Sequence, residues 1–128
     1  MRKRAAHSRR LPPPVGPYSQ AVIADGLVFC SGMVPLDPAT GDLVSGTVEE
    51  EVRCVLANLS NLLEDAGSSL DMVLKTTVYL TNLDDFTEMN RVYGEHFRKE
   101  PPARTTVQVS RLPLGARLEI EAIALQRR

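Results

Sequence analysis

The chain of 128 residues contains no tryptophan, and aromatic residues make up only 5% of it. A surface that recognises nucleic acid by stacking bases on exposed rings is therefore not built into it. An excess of one charge is missing too: 15 lysines and arginines stand against 16 acids, for a formal net charge of -1. The molecule as a whole is no electrostatic ligand for a polyanion. No apolar run approaches the roughly 20 residues that a membrane-spanning helix needs. Cysteine is limited to Cys30 and Cys54, 24 residues apart, with no CxxC and no paired histidines nearby. That spacing is not a zinc pattern. It reads as two buried thiols in a reducing compartment, with a disulfide between them as the alternative. Histidine occurs only as His7 and His96, so neither a histidine triad nor a histidine metal site has its parts. His96 reads as a favourable group near the negative end of a helix. No phosphate-binding loop, dinucleotide glycine pattern, HExxH or GxSxG is present.

What is present is an ordinary globular composition, 43% hydrophobic and 24% charged, in a length that suits one domain with its own core. The first ten residues, MRKRAAHSRR, hold five basic residues and no acid, and Pro12-Pro13-Pro14 follows shortly after. With no apolar stretch this is not a secretory signal. Residues 1–14 read as a basic, Pro-rich, disordered tail and 15–128 as a single domain. A cytoplasmic location follows, with a short mitochondrial transit segment as the alternative.

Two strands are expected between Gln20 and Ser31, AVIAD and LVFCS, turned at Asp25-Gly26. Asp37-Pro38-Ala39-Thr40-Gly41 is a turn by its chemistry, and Leu43-Val44 suggests a short third strand. Thr47 with Glu50 forms a capping box. From Val48 to Ala66 the apolar residues recur on one helical face, which Gly67 ends. Met72 to Leu80 alternates as a strand, with Met72, Leu74, Thr76, Val78 and Leu80 on one side and Val73, Lys75, Thr77 and Tyr79 on the other. A second helix follows Asn82-Leu83-Asp84-Asp85, with Phe86, Met89, Val92, Tyr93 and Phe97 on its apolar face, and Pro101-Pro102 closes it. Arg104–Val109 and Ala116–Leu125 are two further strands. The order ββ(β)αβαββ has too few helices for a doubly wound parallel sheet; an α+β domain with two helices on one face of a mixed sheet fits.

The second face of that sheet carries the functional signal. Arg117, Glu119 and Glu121 share one side of the last strand, opposite Leu118, Ile120, Ala122 and Ala124. A face that mixes polar and apolar groups meets either solvent or another subunit, and oligomerisation through it is expected. Arg104, following a rigid Pro-Pro-Ala segment, suits bidentate capture of a carboxylate. Taken as residues alone, it reads first as the partner of Glu119 or Glu121 in a cross-strand salt bridge.

The blocks Gly16-Pro17-Tyr18-Ser19-Gln20-Ala21, Ser31-Gly32, Asp37-Pro38-Ala39-Thr40-Gly41, Lys75-Thr76-Thr77-Val78, Asp85-Phe86, Pro102-Ala103-Arg104 and Ile120-Glu121-Ala122-Ile123-Ala124 stand in a telling order. In order and spacing they resemble the RidA/YjgF family, the reactive intermediate deaminases. The resemblance runs from about Gly16 to the C-terminus. It implies a chorismate-mutase-like α+β fold, and a homotrimer whose sheets line a central barrel with a cleft at each subunit interface. It implies hydrolysis of 2-imino and enamine acids, such as 2-aminoacrylate or 2-iminopropanoate, to 2-keto acids and ammonia, with no metal or organic cofactor. By the same resemblance Arg104 grips the substrate carboxylate and Glu119 positions the attacking water, while Tyr18, Ser31, Gly32 and Asn90 line the cleft. Thr106 stands where many relatives have cysteine, so a thiol nucleophile is not available there, though a hydroxyl still orients water. Met33 follows Gly32 where relatives often have glutamine, which changes the pocket wall. Two other classes of function are open to the same residues. One is RNA binding or cleavage with inhibition of translation, for which only the basic tail speaks; the other is a binding module that holds a small carboxylate without turnover.

Overall fold

The computed structural model describes residues 2–127, and its first strand lies where none is expected from the sequence. β1 (Arg4–Ala6) runs antiparallel to β2 (Ala21–Ala24). The disordered tail assigned to residues 1–14 is thus corrected. The free edge of β2 offers ladder partners, Leu11 sinks into the core at 8% exposure, and Ser8 is buried at 4%. Backbone pairing and one apolar anchor order a segment with no hydrophobic period of its own.

β2 turns into β3 (Leu27–Met33) through Asp25 and Gly26, both with left-handed backbones, φ 54° and 77°, as a two-residue type I′ hairpin requires. Asp37–Gly41 is a turn as expected, but the third strand is not formed: Leu43 makes a single bridge to Leu36. α1 (Val48–Asp65) begins with the full capping box between Thr47 and Glu50, an arrangement that contributes about 1 kcal/mol. It ends in a Schellman motif: Gly67 N–H donates to Glu64 O at 3.1 Å and Ser68 N–H to Leu63 O at 2.7 Å. β4 (Val73–Leu80) follows, then α2 (Phe86–His96), β5 (Ala103–Gln108) and β6 (Leu118–Leu125).

The sheet order is β1-β2-β3-β6-β4-β5. All neighbouring pairs are antiparallel except β4 and β5, whose parallel pairing needs the crossover that α2 supplies. α1 packs on β3 and β6 and against α2, so both helices lie on one face, as an α+β arrangement demands. Val55, Leu59 and Leu62 of α1 meet Val28, Val78 and Ile120 of the sheet in a core from which solvent is fully excluded. The sides of β6 are as the alternation predicts, with Leu118, Ile120, Ala122 and Ala124 inward. β4 departs at its start: Val73 is buried and Leu74 is exposed at 45%. The cause is a register shift against β6 between Val73 and Lys75, since one extra residue exchanges the two faces. Both thiols are free, and burial pushes Cys30 up to about 12, which makes it an inert core residue.

Candidate active site

A bulge in β3 builds the first half of the site. Cys30 pairs with Ala122 and Met33 with Ile120, so β3 spends one more residue than β6 between these pairs, and Ser31-Gly32 bends out of the ladder. Glu119, on the open face of β6, lies directly over that bend. A Cβ placed on Gly32 would sit 2.6 Å from Glu119 Cδ and nearer still to its Oε2; glycine is there to let the carboxylate approach the backbone. Glu119 is half-buried, and among the described residues no donor reaches it. Burial, and then the charge of Glu121, push its carboxyl above the usual glutamate range. Glu121 itself accepts a hydrogen bond from Tyr79 Oη at 2.5 Å, which holds the Tyr79 hydroxyl protonated beyond its ordinary range. The Ser31 hydroxyl donates to Ser19 O at 2.6 Å.

A cleft of about 360 Å³ opens beside Gly32 and Glu119, with Tyr18, Ser31 and Met33 in its wall. The opposite wall is Leu11 to Pro14, from the segment read as a tail. Tyr18 stands at the mouth, 49% exposed, its Oη accepting from Val15 N–H at 3.4 Å. Among the lining residues, Glu119 alone carries a charge.

The second half of the site lies elsewhere. Arg104 pairs with Thr76 across the parallel ladder, and Thr76 is on the helix-covered face, bonded through Oγ1 to Tyr93 Oη at 2.7 Å. The Arg104 guanidinium rests over two rings of α2, 4.7 Å from the Tyr93 centroid and 5.6 Å from that of Phe86, within the range of a cation–π contact. Asn90 is exposed and sits four residues from Phe86 and three from Tyr93, on the same helical side. Thr106, two residues along β5, shares Arg104's face, and its Oγ1 is buried without a hydrogen-bond partner among the described residues.

The expected residues therefore form two groups. Tyr18, Ser31, Gly32 and Glu119 surround one cleft; Arg104 and Thr106 share the helix-covered face of β5, and Asn90 is on the side of α2 that carries Phe86 and Tyr93. Glu119 pairs with Tyr79 on the open face, so the two groups are on opposite sides of the sheet. The cross-strand salt bridge of Arg104 to Glu119 or Glu121 is corrected on that ground: among the described residues Arg104 has no carboxylate partner. Sequence reasoning missed Phe86 and Tyr93 as the bed of Arg104, although their spacing on α2 carried the signal. It also missed the Leu11–Pro14 wall, for which only the stiffness of three prolines gave a hint. His96 does close a helix, with Nδ1 2.9 Å from Val92 O. No helix of the described residues is long and apolar enough to cross a membrane.

Comparison with known proteins extends over nearly the whole chain. The sequence model of the family described as endoribonuclease L-PSP matches residues 8–126, starting inside the basic segment. A RutC family protein of Pyrococcus horikoshii is 48% identical over 122 residues, covering 95% of this chain and 97% of that protein. The human 2-iminobutanoate/2-iminopropanoate deaminase is 43% identical over 124 residues, covering 97% and 90%. The crystal structure of Escherichia coli TdcF with bound serine superposes with a TM-score of 0.91 at 38% identity, covering 97% of this chain and 99% of that one. Overall fold and sequence agree, and the chain belongs to the RidA/YjgF family, the endoribonuclease L-PSP family of that sequence model.

Proposed function

We propose that the chain is a deaminase that hydrolyses 2-imino acids, and the enamines that tautomerise to them, to 2-keto acids and ammonia in a cleft completed by a second copy of the chain. The observation that carries this reading is a pair of charges without counter-charges among the described residues: the Glu119 carboxylate in its cleft and the Arg104 guanidinium on its ring bed, on opposite faces of one sheet. One chain cannot bring them to one ligand. A second copy docked on the open face can, and that face offers Phe29 and Leu125 exposed at 41% and 43%, apolar area that association would bury. Relatives named as imino-acid deaminases and a relative that binds serine support a small α-nitrogen carboxylate as the ligand.

In the proposed reaction Arg104 receives the substrate carboxylate and fixes C2. Glu119, as carboxylate, takes a proton from a water as its oxygen bonds to C2 of the iminium. The protonated Glu119 then gives that proton to the amino nitrogen of the carbinolamine. The C–N bond breaks with its electrons leaving on ammonia, the hydroxyl proton is released, and the keto acid remains. A carboxyl whose proton affinity is raised by burial suits both transfers. Thr106 Oγ1, without a hydrogen-bond partner among the described residues, is placed to bond the carboxylate or a water beside Arg104.

The direct test generates 2-aminoacrylate from serine with a lyase, in the presence of semicarbazide. Faster pyruvate release with less semicarbazone is expected when the protein is added; unchanged partition across several amino-acid precursors would leave the cleft a binding site. Gly32→Ala supplies a second check. The new methyl displaces Glu119's flexible carboxylate rather than backbone, so the melting temperature should stay within a few degrees while turnover falls about 10²-fold. Full turnover in that variant would remove the contact from the mechanism.

A further inference from the structure

The polar side chains set back in the cleft wall, Gln20, Ser31 and Asn58, each hydrogen-bond to the protein itself, whereas Tyr18 stands at the mouth with its hydroxyl proton unused among the described residues. Gln20, 6% exposed, accepts from Ser8 N–H at 2.6 Å through Oε1 and donates from Nε2 to Pro12 O at 3.0 Å. Ser31 Oγ donates to Ser19 O, and Asn58 Nδ2 donates to Leu36 O at 2.8 Å. What a ligand meets is the carbon of Leu11, Pro12, Pro13, Met33 and Val34. This half of the wall is also held at a distance. The Ser8 hydroxyl donates to Asp65 Oδ2 at 2.5 Å, and the Arg10 guanidinium donates to Asp65 Oδ1 at 2.9 Å and to Asn61 O at 3.1 Å. Arg10 and then Ser8 keep the Asp65 carboxyl below its ordinary range, so the mooring is ionised at neutral pH.

We propose that the Leu11–Pro14 strap, clasped by Gln20 and moored to Asp65, is the specificity wall of the cleft, and that it selects 2-imino acids with extended apolar side chains. This rests on the deaminase reading above. A three-carbon imino acid has no side-chain atoms to reach the strap, whereas a straight hydrocarbon chain extending from the Glu119 end of the cleft lies along the proline rings. Each methylene so buried is worth about 0.8 kcal/mol, or roughly fourfold in affinity. An anionic side chain gains nothing there and meets Glu119, whose charge repels it. Proline is well suited to such a wall, because its ring presents carbon with little conformational freedom and leaves no N–H facing the ligand unpaired.

The experiment generates imines from alanine, norleucine and glutamate with an amino-acid oxidase and reads enzyme turnover against semicarbazide capture. For the wild-type chain kcat/KM should rise at least tenfold from the alanine to the norleucine imine and be lowest for the glutamate imine. Asp65→Ala, far from the chemistry, should raise KM for the norleucine imine several-fold with kcat and the alanine imine unchanged. Gln20→Ala should raise that KM further. Turnover of all three imines at similar kcat/KM, or a preference that survives in both variants, overturns the strap as a specificity wall while the deaminase reading stands. Failure to turn over any imine overturns the deaminase reading and the wall with it. A general loss of fold would lower kcat on all substrates alike; a split confined to the KM of the long one would not arise that way.

Discussion

Arg104→Ala is expected to lower kcat/KM on 2-iminopropanoate by a factor of about 30 to several thousand, with secondary structure and assembly intact. The range corresponds to the roughly 2–5 kcal/mol lost when one partner of a buried charge pair is truncated. The fold should tolerate the change because Arg104 lies on an edge strand and, among the described residues, bonds to no carboxylate. The sheet geometry adds a sharper test. If Arg104 of one copy serves Glu119 of another, two inactive variants should complement. Arg104→Ala and Glu119→Gln, unfolded together in equal amounts and refolded, would pair an intact arginine with an intact glutamate at about a quarter of the shared sites. Recovery of roughly that share of wild-type turnover is the expected result. No recovery at all would mean that both groups act in one chain, which their opposite faces forbid, or that one of them does not act.

Glu119→Gln should lower kcat by about 10²–10⁴-fold, the usual contribution of a positioned proton carrier, while KM changes little because Arg104 still holds the carboxylate. The pH profile separates this from mere disturbance. The wild-type rate needs Glu119 ionised to accept the water's proton, so kcat/KM should fall on the acid side as pH drops through its folded value. That value is raised by burial first and by Glu121 second, placing the acid limb above the ordinary glutamate range near 4.3. In Glu119→Gln the limb should vanish. Stability moves in the opposite sense: a carboxyl raised on folding favours the folded state while protonated and opposes it once ionised. The glutamine variant should accordingly be no less stable than wild type at neutral pH. An unchanged acid limb would assign the titration to another group.

Much of this architecture was legible because it is written in local chemistry. Thr47 with Glu50, the terminating Gly67 and the Asp25-Gly26 pair each satisfy a backbone need that few other residues meet, and each falls where the sequence places it. The two sides of β6 were legible for a different reason, the strict period of two. β1 was not: Arg4-Ala5-Ala6 has no period and no β-branched or aromatic residue, and it pairs because the edge of β2 is free. The exchange of Val73 and Leu74 was not, because a bulge is a property of two strands in register rather than of one sequence. Site residues followed the same rule. Resemblance identified Arg104 and Glu119, but their placement on opposite faces required knowing that Arg104 is level with Thr76 and Glu119 with Tyr79. The Leu11–Pro14 wall depends on Gln20 reaching two backbone groups at once, which no spacing announces.

The bed of Tyr93 and Phe86 under Arg104 has a consequence for timing. A solvated arginine samples many rotamers, and ordering it on a ligand withdraws up to about 2 kcal/mol of side-chain entropy. Here that ordering happens when the chain folds, before any ligand arrives. Tyr93 is in turn held by the hydrogen bond between its Oη and Thr76 Oγ1, and by Phe97, whose ring centroid is 4.5 Å away, so the bed does not drift. A short-lived reactive molecule therefore meets a guanidinium already aimed, and its capture need not wait for a search among side-chain conformers.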